Sequence, residues 1–265
     1  MYSNFIFDNR SSEEFEVACA YFNNILEEAS GGIQTELTTE SNSDGSIFYI
    51  VNNKYSEAIN FEVTLVKNVK NQDKRVFEQE EIRAVVSWLC SPSSYRELIL
   101  EDNHFIELVL NAKFTNPKYT LNGNDVIGIT FTGTLDRPYA LSNVRQYSFD
   151  SSVNTFSLYN DSDEKEKVLY PQEVIITIND DCDVTITNTK ENSRLFTQIK
   201  NCVSGEVITI DCERRIIKST NKDVPILSRF NKHWIGLLHG KNIFNVSGSF
   251  NIQFNYREVR KVGVY

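Results

Sequence analysis

The clearest alternation of apolar and polar residues in the first half of the chain runs from Ile59 to Val66. Apolar side chains occupy every second position, at Ile59, Phe61, Val63 and Leu65, and mostly polar residues lie between them. Because successive side chains of a strand point to opposite faces, this period of two predicts a strand with one buried face.

A helical period follows between Glu78 and Cys90. Its apolar residues fall at i, i+3, i+4 and i+7, which places them in one stripe on a helix surface: Ile82, Val85, Val86 and Leu89. The acidic residues at its start suit the positive end of the helix dipole, and the sequence Cys90-Ser91-Pro92 predicts its end. This is the one clear helix that the sequence predicts.

Trp88 lies in this helix but outside the stripe, about 100° around the axis from Leu89. A large aromatic side chain that does not face the core is a candidate interface anchor, because aromatic anchors concentrate binding energy. If the stripe packs inward, Trp88 is therefore a candidate interface residue; a core position is the alternative.

Further strands are predicted after the helix. Tyr95 to Leu100 and Phe105 to Leu110 read as two strands joined through Asp102 and Asn103, which tolerate the backbone of a tight turn. A third strand is predicted near Val126 to Thr132. The first half of the chain is thus expected to be strands interrupted by one helix.

Two earlier segments are less regular. The spacing of apolar residues from Glu13 to Ala29 fits a helix, but the β-branched and aromatic content leaves the assignment open between helix and strand. The polar segment from Ser30 to Gly45 is predicted to be a loop.

A domain boundary is predicted after Arg137, where Pro138 begins a polar region that extends to Ser152. Within that region, Tyr147 and Phe149 can open the next strand. We expect residues 1–137 to form one domain and residues 138–265 to form a second, with residues near 257–265 able to return to the first.

The second half has β periodicity throughout. Turn-forming residues separate short alternating segments at intervals of about 8 to 12 residues, which is typical of an antiparallel sandwich. The alternating apolar positions are Val174, Ile176 and Ile178; Val184 and Ile186; Leu195, Thr197 and Ile199; Ile208 and Ile210; and Phe250, Ile252, Phe254 and Tyr256.

Composition narrows the functional classes. The 265 residues include 36 acidic and 27 basic residues, for a formal net charge of -9, and no block of lysine and arginine occurs. This balance argues against an electrostatic nucleic-acid binder. The sequence contains neither an export signal nor an apolar stretch of about 18 residues, so we expect a soluble protein without a membrane anchor.

Five cysteines occur, an odd number with no Cys-x-x-Cys pair, so neither a disulfide framework nor a zinc site is predicted and reduced thiols are the simplest interpretation. The three histidines, His104, His233 and His239, lie in different segments and lack the spacing of metal ligands. We expect no metal site and no cofactor.

Two acidic clusters could suggest calcium binding or paired catalytic carboxylates. The cluster that begins at Asp161 is interleaved with lysines and lacks the ligand pattern of a calcium loop, which favours a solvated loop. Asp180, Asp181 and Asp183 fit a turn, where aspartate hydrogen-bonds nearby backbone. No phosphate loop or nucleophile motif occurs, so we expect no catalytic residues and not an enzyme.

The stretch EEIRAVVSWLCSPSSYRELILEDNHFIELVLNAKF resembles the phage distal tail (Dit) family, in which a helix of the type Ile-x-x-Trp-Leu precedes a leucine-rich strand, an Asp turn and a partner strand. The second half is similar to the galectin-like domain of that family. Pro171 before a strand, the turn at Ile210-Asp211 and the Gly240-x-Asn242 motif before the last hairpin carry this likeness. The resemblance covers about Phe61 to Arg257.

The resemblance implies a mainly β protein. Its N-terminal domain would be a tail-tube-like β-barrel or sandwich with one α-helix, and its C-terminal domain a galectin-like antiparallel β-sandwich. The N-terminal domain would build a homo-hexameric ring, with Trp88 and Tyr95 as candidate interface residues. Residues Arg257, Arg260 and Lys261 would fold back toward that domain.

The implied partners are the tail-tube protein, a tail-tip hub or tail-associated lysin, and receptor-binding proteins. The location implied is the distal tail or baseplate of a siphovirus or tail-like particle, assembled in the bacterial cytoplasm. An acidic lumen would let DNA pass without specific binding.

Two alternatives differ in class from this structural role. A carbohydrate-binding module of the host-recognition apparatus is suggested by the galectin-like half and by an aromatic content of 12%. Against it, Phe61, Phe131, Phe250 and Phe254 lie in phase with buried strand positions, so core packing is the favoured use of these rings. A wall-degrading hydrolase is the weakest alternative, because paired carboxylates and a metal constellation are absent from the sequence.

Overall fold

The computed structural model describes residues 4–20, 35–55, 58–68, 75–101, 108–150, 153–191 and 194–261. The chain divides into two compact units. The first unit extends to Leu141 and also takes Lys261, and the second comprises Ser142–Arg260. Both are built mainly from antiparallel strands, so the predicted mainly β fold is confirmed.

The first unit consists of strands, a short 3-10 turn and one helix. In chain order its elements are β1 (Asn4–Phe7), β2 (Arg10–Ser11), the 3-10 turn (Ser12–Phe15), β3 (Val17–Ala20), β4 (Thr35–Ser41), β5 (Phe48–Tyr55), β6 (Asn60–Lys67), α1 (Gln79–Cys90), β7 (Arg96–Glu101), β8 (Leu108–Asn122) and β9 (Asp125–Leu135). The main sheet has the antiparallel order β2-β1-β7-β8-β9-β6-β3, whereas β4 and β5 form a separate two-stranded sheet.

The sequence predictions for this unit are largely confirmed. Strand β6 matches the alternation after Ile59, β7 matches the strand predicted from Tyr95, and β9 contains the strand predicted near Val126. The turn at Asp102 and Asn103 lies outside the described residues, and the strand predicted from Phe105 is described only from Leu108, where β8 begins.

In the first 45 residues, the structure resolves one assignment that the sequence leaves open and contradicts one prediction. The segment that begins at Glu13 forms a 3-10 turn and then β3, and its remaining residues, 21–29, lie outside the described residues. The segment predicted as a loop up to Gly45 contains β4, which pairs antiparallel with β5 with a register shift between Thr38 and Thr39. Polar composition concealed this strand because its described side chains face solvent rather than a core.

Helix α1 begins and ends where the sequence predicts. Glu78 is its N-cap residue, and its backbone N–H donates to the carboxylate of Glu81 at 2.7 Å, in a capping box. The same carboxylate accepts from Lys67 Nζ at 2.6 Å, which ties the helix start to β6. At the other end, Lys113 Nζ donates to the carbonyl oxygen of Cys90 at 2.9 Å, so a cation satisfies the negative end of the helix.

The second unit is a sandwich of two antiparallel sheets. Its elements are β11 (Arg145–Asp150), β12 (Thr155–Asn160), β13 (Glu173–Ile178), β14 (Cys182–Asn188), β15 (Thr197–Cys202), β16 (Val207–Asp211), β17 (Ile216–Ser219), the one-turn helix α2 (Ile226–Arg229), β18 (Gly240–Ser247) and β19 (Phe250–Tyr256). Short strands β10 (Ala140–Ser142) and β20 (Val259–Arg260) lie where the chain enters and leaves this unit.

The sheets of the sandwich have the orders β11-β19-β13-β16-β17 and β12-β18-β14-β15. Apolar side chains from both fill the space between them, including Val174, Ile186, Ile208 and Phe254. The predicted sandwich and its alternating core positions are therefore confirmed, except at Leu195, which precedes β15 and is exposed.

Buried Glu258 joins the entering and leaving segments of the second unit. Its carboxylate accepts from Arg145 Nε at 3.0 Å, from an Arg260 guanidinium nitrogen at 2.7 Å and from the backbone N–H of Asp161 at 2.8 Å. Its own backbone N–H donates to Ser142 Oγ at 3.0 Å. Of the basic residues predicted to fold back, Arg260 thus bonds within the second unit.

Candidate assembly surfaces

Trp88 lies inside the first unit, on the buried face of the helix and not away from it. Its side chain is only 7% exposed, and its indole N–H donates to the carbonyl oxygen of Phe7 at 3.0 Å. The indole stacks on Phe15 with ring centroids 4.2 Å apart and on Phe5 with centroids 5.3 Å apart. The buried position of Trp88 therefore does not support a role in the ring contact.

The physical reason is that the buried face of the helix is rotated relative to the predicted stripe. Val85, Trp88 and Leu89 are its buried residues, and they share the i, i+3, i+4 spacing of one face. Strand β1 and the 3-10 turn bring Phe5 and Phe15 to that face, which the helical period alone could not show. Ile82 and Val86, which belong to the predicted stripe, are only partly buried and lie at the edge of the buried face.

Tyr95, the other candidate ring residue, lies on the surface. It precedes β7 and is 45% exposed. Trp88 and Tyr95 thus do not form a common surface, because one is a core residue and the other faces solvent.

The sequence analysis does not predict the hairpin of β4 and β5, which carries four of the large apolar residues that are exposed in the described part of this unit, Ile47, Tyr49, Ile50 and Val51. At its tip, Asn42 Oδ1 accepts from the backbone N–H groups of Ser46 and Ile47 at 2.9 and 3.0 Å. Asp44 accepts from the backbone N–H of Ser46 at 3.0 Å, and Gly45 takes a φ of +71°, which suits a residue without Cβ. These contacts fix a tight turn between the strands.

Three consecutive residues of β5, Tyr49, Ile50 and Val51, are each more than half exposed. Consecutive strand residues point to opposite faces, so both faces of the hairpin present apolar side chains. None of these residues belongs to the core of either unit. The signal in the sequence was the Asp44-Gly45 pair followed by the apolar run IFYIV, which is typical of a hairpin.

The far end of the hairpin formed by β8 and β9 provides a second exposed apolar patch. Tyr119 and Leu121 are each about half exposed, in register with Ile129 and Val126 of β9. A bulge between Thr115 and Lys118 shifts the alternation of β8, so Tyr119 lies on the same face as buried Ile129. At this end of the hairpin, the face of the sheet that is buried elsewhere is therefore exposed to solvent.

The second unit contains a buried ion pair between Glu206 and Arg229. Arg229 NH1 lies 3.1 Å from one carboxylate oxygen, and the hydroxyl of Ser219 and the backbone N–H of Val203 also donate to the carboxylate. Burial favours the neutral acid, but the hydrogen bonds from Arg229, Ser219 and Val203 outweigh it and lower the pKa of Glu206. The pair joins α2 to the start of β16.

The Gly240-x-Asn242 motif holds a loop in place. Fully buried Asn242 accepts from the backbone N–H of Leu238 at 2.9 Å and donates to the carbonyl oxygens of Leu238 and Gly240 at 2.7 and 2.9 Å. It also accepts from Asn188 at 2.9 Å. These contacts satisfy the backbone N–H and carbonyl of Leu238 and the carbonyl of Gly240, so the polar atoms of Asn242 serve to hold the loop.

The acidic clusters act as turn and surface residues. Asp180 accepts from Ser249 Oγ at 2.7 Å, Asp181 from the backbone N–H of Ser204 at 2.8 Å, and Asp183 from the backbone N–H of Asn201 at 2.8 Å. Asp180 and Asp181 thus lie in the predicted connection between β13 and β14, whereas Asp183 lies in β14. In the other cluster, Asp161 lies 3.9 Å from Arg260.

The histidines do not converge. His233 Nε2 lies 3.7 Å from Glu191, His239 Nδ1 lies 3.1 Å from the carbonyl oxygen of Ser162, and His104 lies outside the described residues. Within the described ranges, no group of three or more His, Cys, Asp and Glu side chains is placed to hold a metal ion. In the same part of the chain, no helix is long and apolar enough to span a membrane.

Most of the aromatic residues considered for sugar stacking are core residues. Phe131, Phe250 and Phe254 are fully buried, as the strand phase predicts, and Phe61 packs against the first core. Tyr159, on β12, is the aromatic of the sandwich with the most exposed side chain among the described residues, at 54%.

The sequence matches two family models. Residues 1–137 match the model of a phage tail protein N-terminal domain, and residues 139–256 match the model of a phage tail C-terminal domain. No curated protein sequence matches the chain.

Solved structures show a similar fold at very low sequence identity. The Dit protein (gp 19.1) of phage SPP1, described as a paradigm of the hub adsorption apparatus in phages that infect Gram-positive bacteria, gives a TM-score of 0.66 at 9% identity, over 96% of this chain and 98% of that chain. A chain of the phage P2 baseplate, in its activated conformation with Ca, gives a TM-score of 0.53 at 8% identity, over 97% and 98%. The P2 baseplate with Sr gives 0.53 at 8% identity, over 96% and 98%.

Proposed function

The chain belongs to the phage tail protein family, and we propose that it is the distal tail protein whose copies form a hexameric ring between the tail tube and the tail-tip hub. It is a structural component of the virion tail. In the proposed role, residues 1–137 build the ring and residues 138–265 form a galectin-like domain that serves as an adaptor for host-recognition proteins. Assembly would take place in the cytoplasm of the host bacterium, and the role requires no catalysis.

The observation that carries the ring proposal is the presence of two separate apolar patches on the first unit. Identical subunits that join head to tail bury two different surfaces of each copy, and such contacts generate a ring when the rotation closes. The β4-β5 hairpin, with Tyr49, Ile50 and Val51, is one such surface. The end of the β8-β9 hairpin, with Tyr119 and Leu121, is the other.

The stability of the β4-β5 hairpin supports the same proposal. A two-stranded hairpin is marginally stable alone in water, and apolar side chains on both of its faces add a cost of exposure. Contact with a neighbouring copy would cover these side chains. Tyr95 remains a further candidate for the ring contact because it is an exposed aromatic of the same unit.

The charge of the chain is compatible with a DNA-conducting lumen. The formal net charge is -9, and a lumen with acidic character would repel phosphates instead of holding them. We therefore propose that DNA passes through the ring without specific binding.

Light scattering after size-exclusion chromatography and negative-stain imaging test the ring directly. We expect rings of six copies from the purified chain, or on addition of the tail-tube and hub proteins of the same particle. Monomers under all of these conditions would overturn the proposal.

A sugar-binding role for the second unit is the alternative, and exposed Tyr159 is the residue that favours it. Aromatic faces stack on the apolar faces of sugars, so a glycan array should give hits that Tyr159→Ala weakens. An array without hits, or hits unchanged in the variant, would contradict this alternative and leave the ring proposal untouched.

A further inference from the structure

Cys182 and Cys202 are direct cross-strand partners in the second unit. Cys182 begins β14 and Cys202 ends β15, and their Cα atoms pair in the antiparallel register of these strands. Both side chains face the interior of the sandwich, where Cys202 is 1% exposed and Cys182 packs against the core while remaining partly exposed. Both are free thiols.

The register of this pair suits the Cα separation of a disulfide and comes close to the Cβ separation that a disulfide needs. Directly opposed residues of an antiparallel pair have Cα atoms about 4.5 to 5.5 Å apart and Cβ atoms at a similar separation. A disulfide needs Cα atoms about 4.4 to 6.8 Å apart and Cβ atoms about 3.5 to 4.5 Å apart. The Cβ atoms would need to approach by about 1 Å at most.

The local backbone can supply that adjustment. A bulge lies directly beside the pair, between Cys182 and Val184, and Asn201 in the facing strand has a positive φ of 52°. A bulge interrupts the ladder and increases local twist, so the strands are less constrained here than in a regular ladder. The pair also lies at the end of both strands, where separation costs fewer contacts.

None of the other three cysteines has this relationship. Cys19 and Cys90 belong to the first unit, in β3 and α1. Cys212 follows β16 in the other sheet of the sandwich and is fully buried. The geometry therefore singles out one pair among the five thiols.

We propose that Cys182 and Cys202 form an intramolecular disulfide by exchange with a low-molecular-weight disulfide such as oxidised glutathione, once the protein leaves a reducing cytoplasm. In the first step the Cys182 thiolate attacks the small disulfide and forms a mixed disulfide, and one equivalent of small thiol leaves. In the second step the Cys202 thiolate attacks Cys182 Sγ and releases the second small thiol. The two protein thiols lose two electrons and two protons, and the small disulfide gains them.

Access decides the order and the rate of these steps. Cys182 is the partly exposed member, so exchange begins there. Burial, with the nearby Glu206 carboxylate as a second cause, raises the pKa of Cys202 to about 12, so little thiolate is present at neutral pH. The second step is therefore slow in the closed sandwich and proceeds faster when the end of the β14-β15 pair opens.

The product would be a covalent link between two strands of one sheet, closing the segment from Asp183 to Asn201. Such a link restricts the unfolded chain more than the folded one, so it would stabilise the sandwich outside the cell. This inference does not depend on the ring proposal, because it concerns one sheet within one copy.

The test treats the full-length chain with oxidised glutathione, followed by alkylation in denaturant, thiol titration and peptide mass spectrometry without reduction. The same reaction is run in buffer and in urea just below the unfolding transition, so that burial cannot hide the pair. We expect the titrated thiols to fall from five to three and a Cys182–Cys202 linked peptide to appear, faster in urea.

Matched variants identify the pair. Cys212→Ser should still form the linked peptide, whereas Cys182→Ser and Cys202→Ser should not, and oxidation should raise the thermal midpoint of Cys212→Ser but of neither of the other two. Absence of the linked peptide in both conditions, or links that join other cysteines with equal yield, would overturn the proposal.

Discussion

The indole N–H of Trp88 donates to the carbonyl oxygen of Phe7, across a distance of 3.0 Å. This hydrogen bond joins α1 to β1, and the rings of Phe5 and Phe15 both stack on the indole. Trp88 therefore stabilises the first unit from within, as a buried aromatic residue with a satisfied polar atom.

Replacement of Trp88 tests this role. Trp88→Ala should lower the free energy of unfolding of the first unit by about 3 to 5 kcal/mol, since it leaves a large cavity and an unsatisfied carbonyl group. Tyr95→Ala, at an exposed position, should change it by less than about 0.5 kcal/mol. Urea denaturation followed by circular dichroism measures both. A Trp88→Ala variant of full stability that failed to assemble would restore the interface role that the sequence suggested.

The Trp88 position shows what the helical pattern could and could not predict. The pattern gave the bounds of α1, because capping residues and a Pro stop are local features. It could not give the width of the buried face, because that width depends on Phe5 and Phe15, which are far away in the sequence. Local signals predict elements, whereas contacts between distant segments decide which surface is buried.

The same distinction explains the β4-β5 hairpin. Strands that cover a core alternate strongly, as in β13 and β19, and these were predicted with their buried positions. Among the described strands, β4 pairs with β5 alone, and its described side chains are exposed, so its sequence resembles that of a loop. The pattern of residues does not predict this hairpin, because strands that cover no core of their own chain lack the alternation of buried and exposed positions.

The Glu206–Arg229 pair predicts how the stability of the second unit depends on pH. The pKa of Glu206 is lowered in the folded state, so the pair stabilises the fold above the unfolded value of about 4.3, and this contribution is lost as the pH falls through the folded pKa. Urea midpoints of the wild-type protein should therefore decrease below about pH 4.

Arg229→Gln should reverse the contribution of Glu206. Without the guanidinium, burial is the largest influence on Glu206 and should raise its pKa in the folded state. The buried carboxylate should then destabilise the fold increasingly as the pH rises through the pKa of Glu206 in the unfolded chain. At neutral pH the variant should lose about 3 to 5 kcal/mol, because a buried charge is left unpaired. Arg214→Gln is the matched control, since Arg214 is exposed and its ion pair contributes at most about 1 kcal/mol. Equal losses of unfolding free energy in the two variants would show that the buried pair contributes no more to stability than the exposed pair does.

Asn242 gives a prediction for the loop before β18. Asn242→Ala removes the amide that bonds Leu238, Gly240 and Asn188, and it leaves the partly buried backbone N–H of Leu238 without its acceptor. The free energy of unfolding should fall by about 2 to 4 kcal/mol, and amide hydrogen exchange should rise in residues 236–240. Asn245→Ala, on the same strand with an exposed side chain, should leave both quantities nearly unchanged. Equal amide hydrogen exchange of residues 236–240 in the two variants would show that Asn242 does not hold this loop.

The two apolar patches of the first unit predict a specific result for assembly. Ile50→Glu places a charge in the β4-β5 hairpin patch, and Leu121→Glu places one in the β8-β9 patch. Because a charge buried in an apolar contact is costly, either variant alone should remain monomeric where the wild-type chain forms rings. Ile216→Glu, an equally large change at an exposed position of the second unit, should form rings normally.

A mixture of the two variants distinguishes a head-to-tail contact from a symmetric one. If the hairpin patch of one copy contacts the β8-β9 patch of the next, Leu121→Glu supplies an intact hairpin and Ile50→Glu supplies an intact β8-β9 end. One good interface can then form per pair, so light scattering should show dimers in the mixture and monomers in each separate sample. Each copy in such a dimer ends in a damaged patch, which prevents growth to a closed ring. Monomers in the mixture at concentrations where the wild-type chain assembles would show that these two patches do not contact each other.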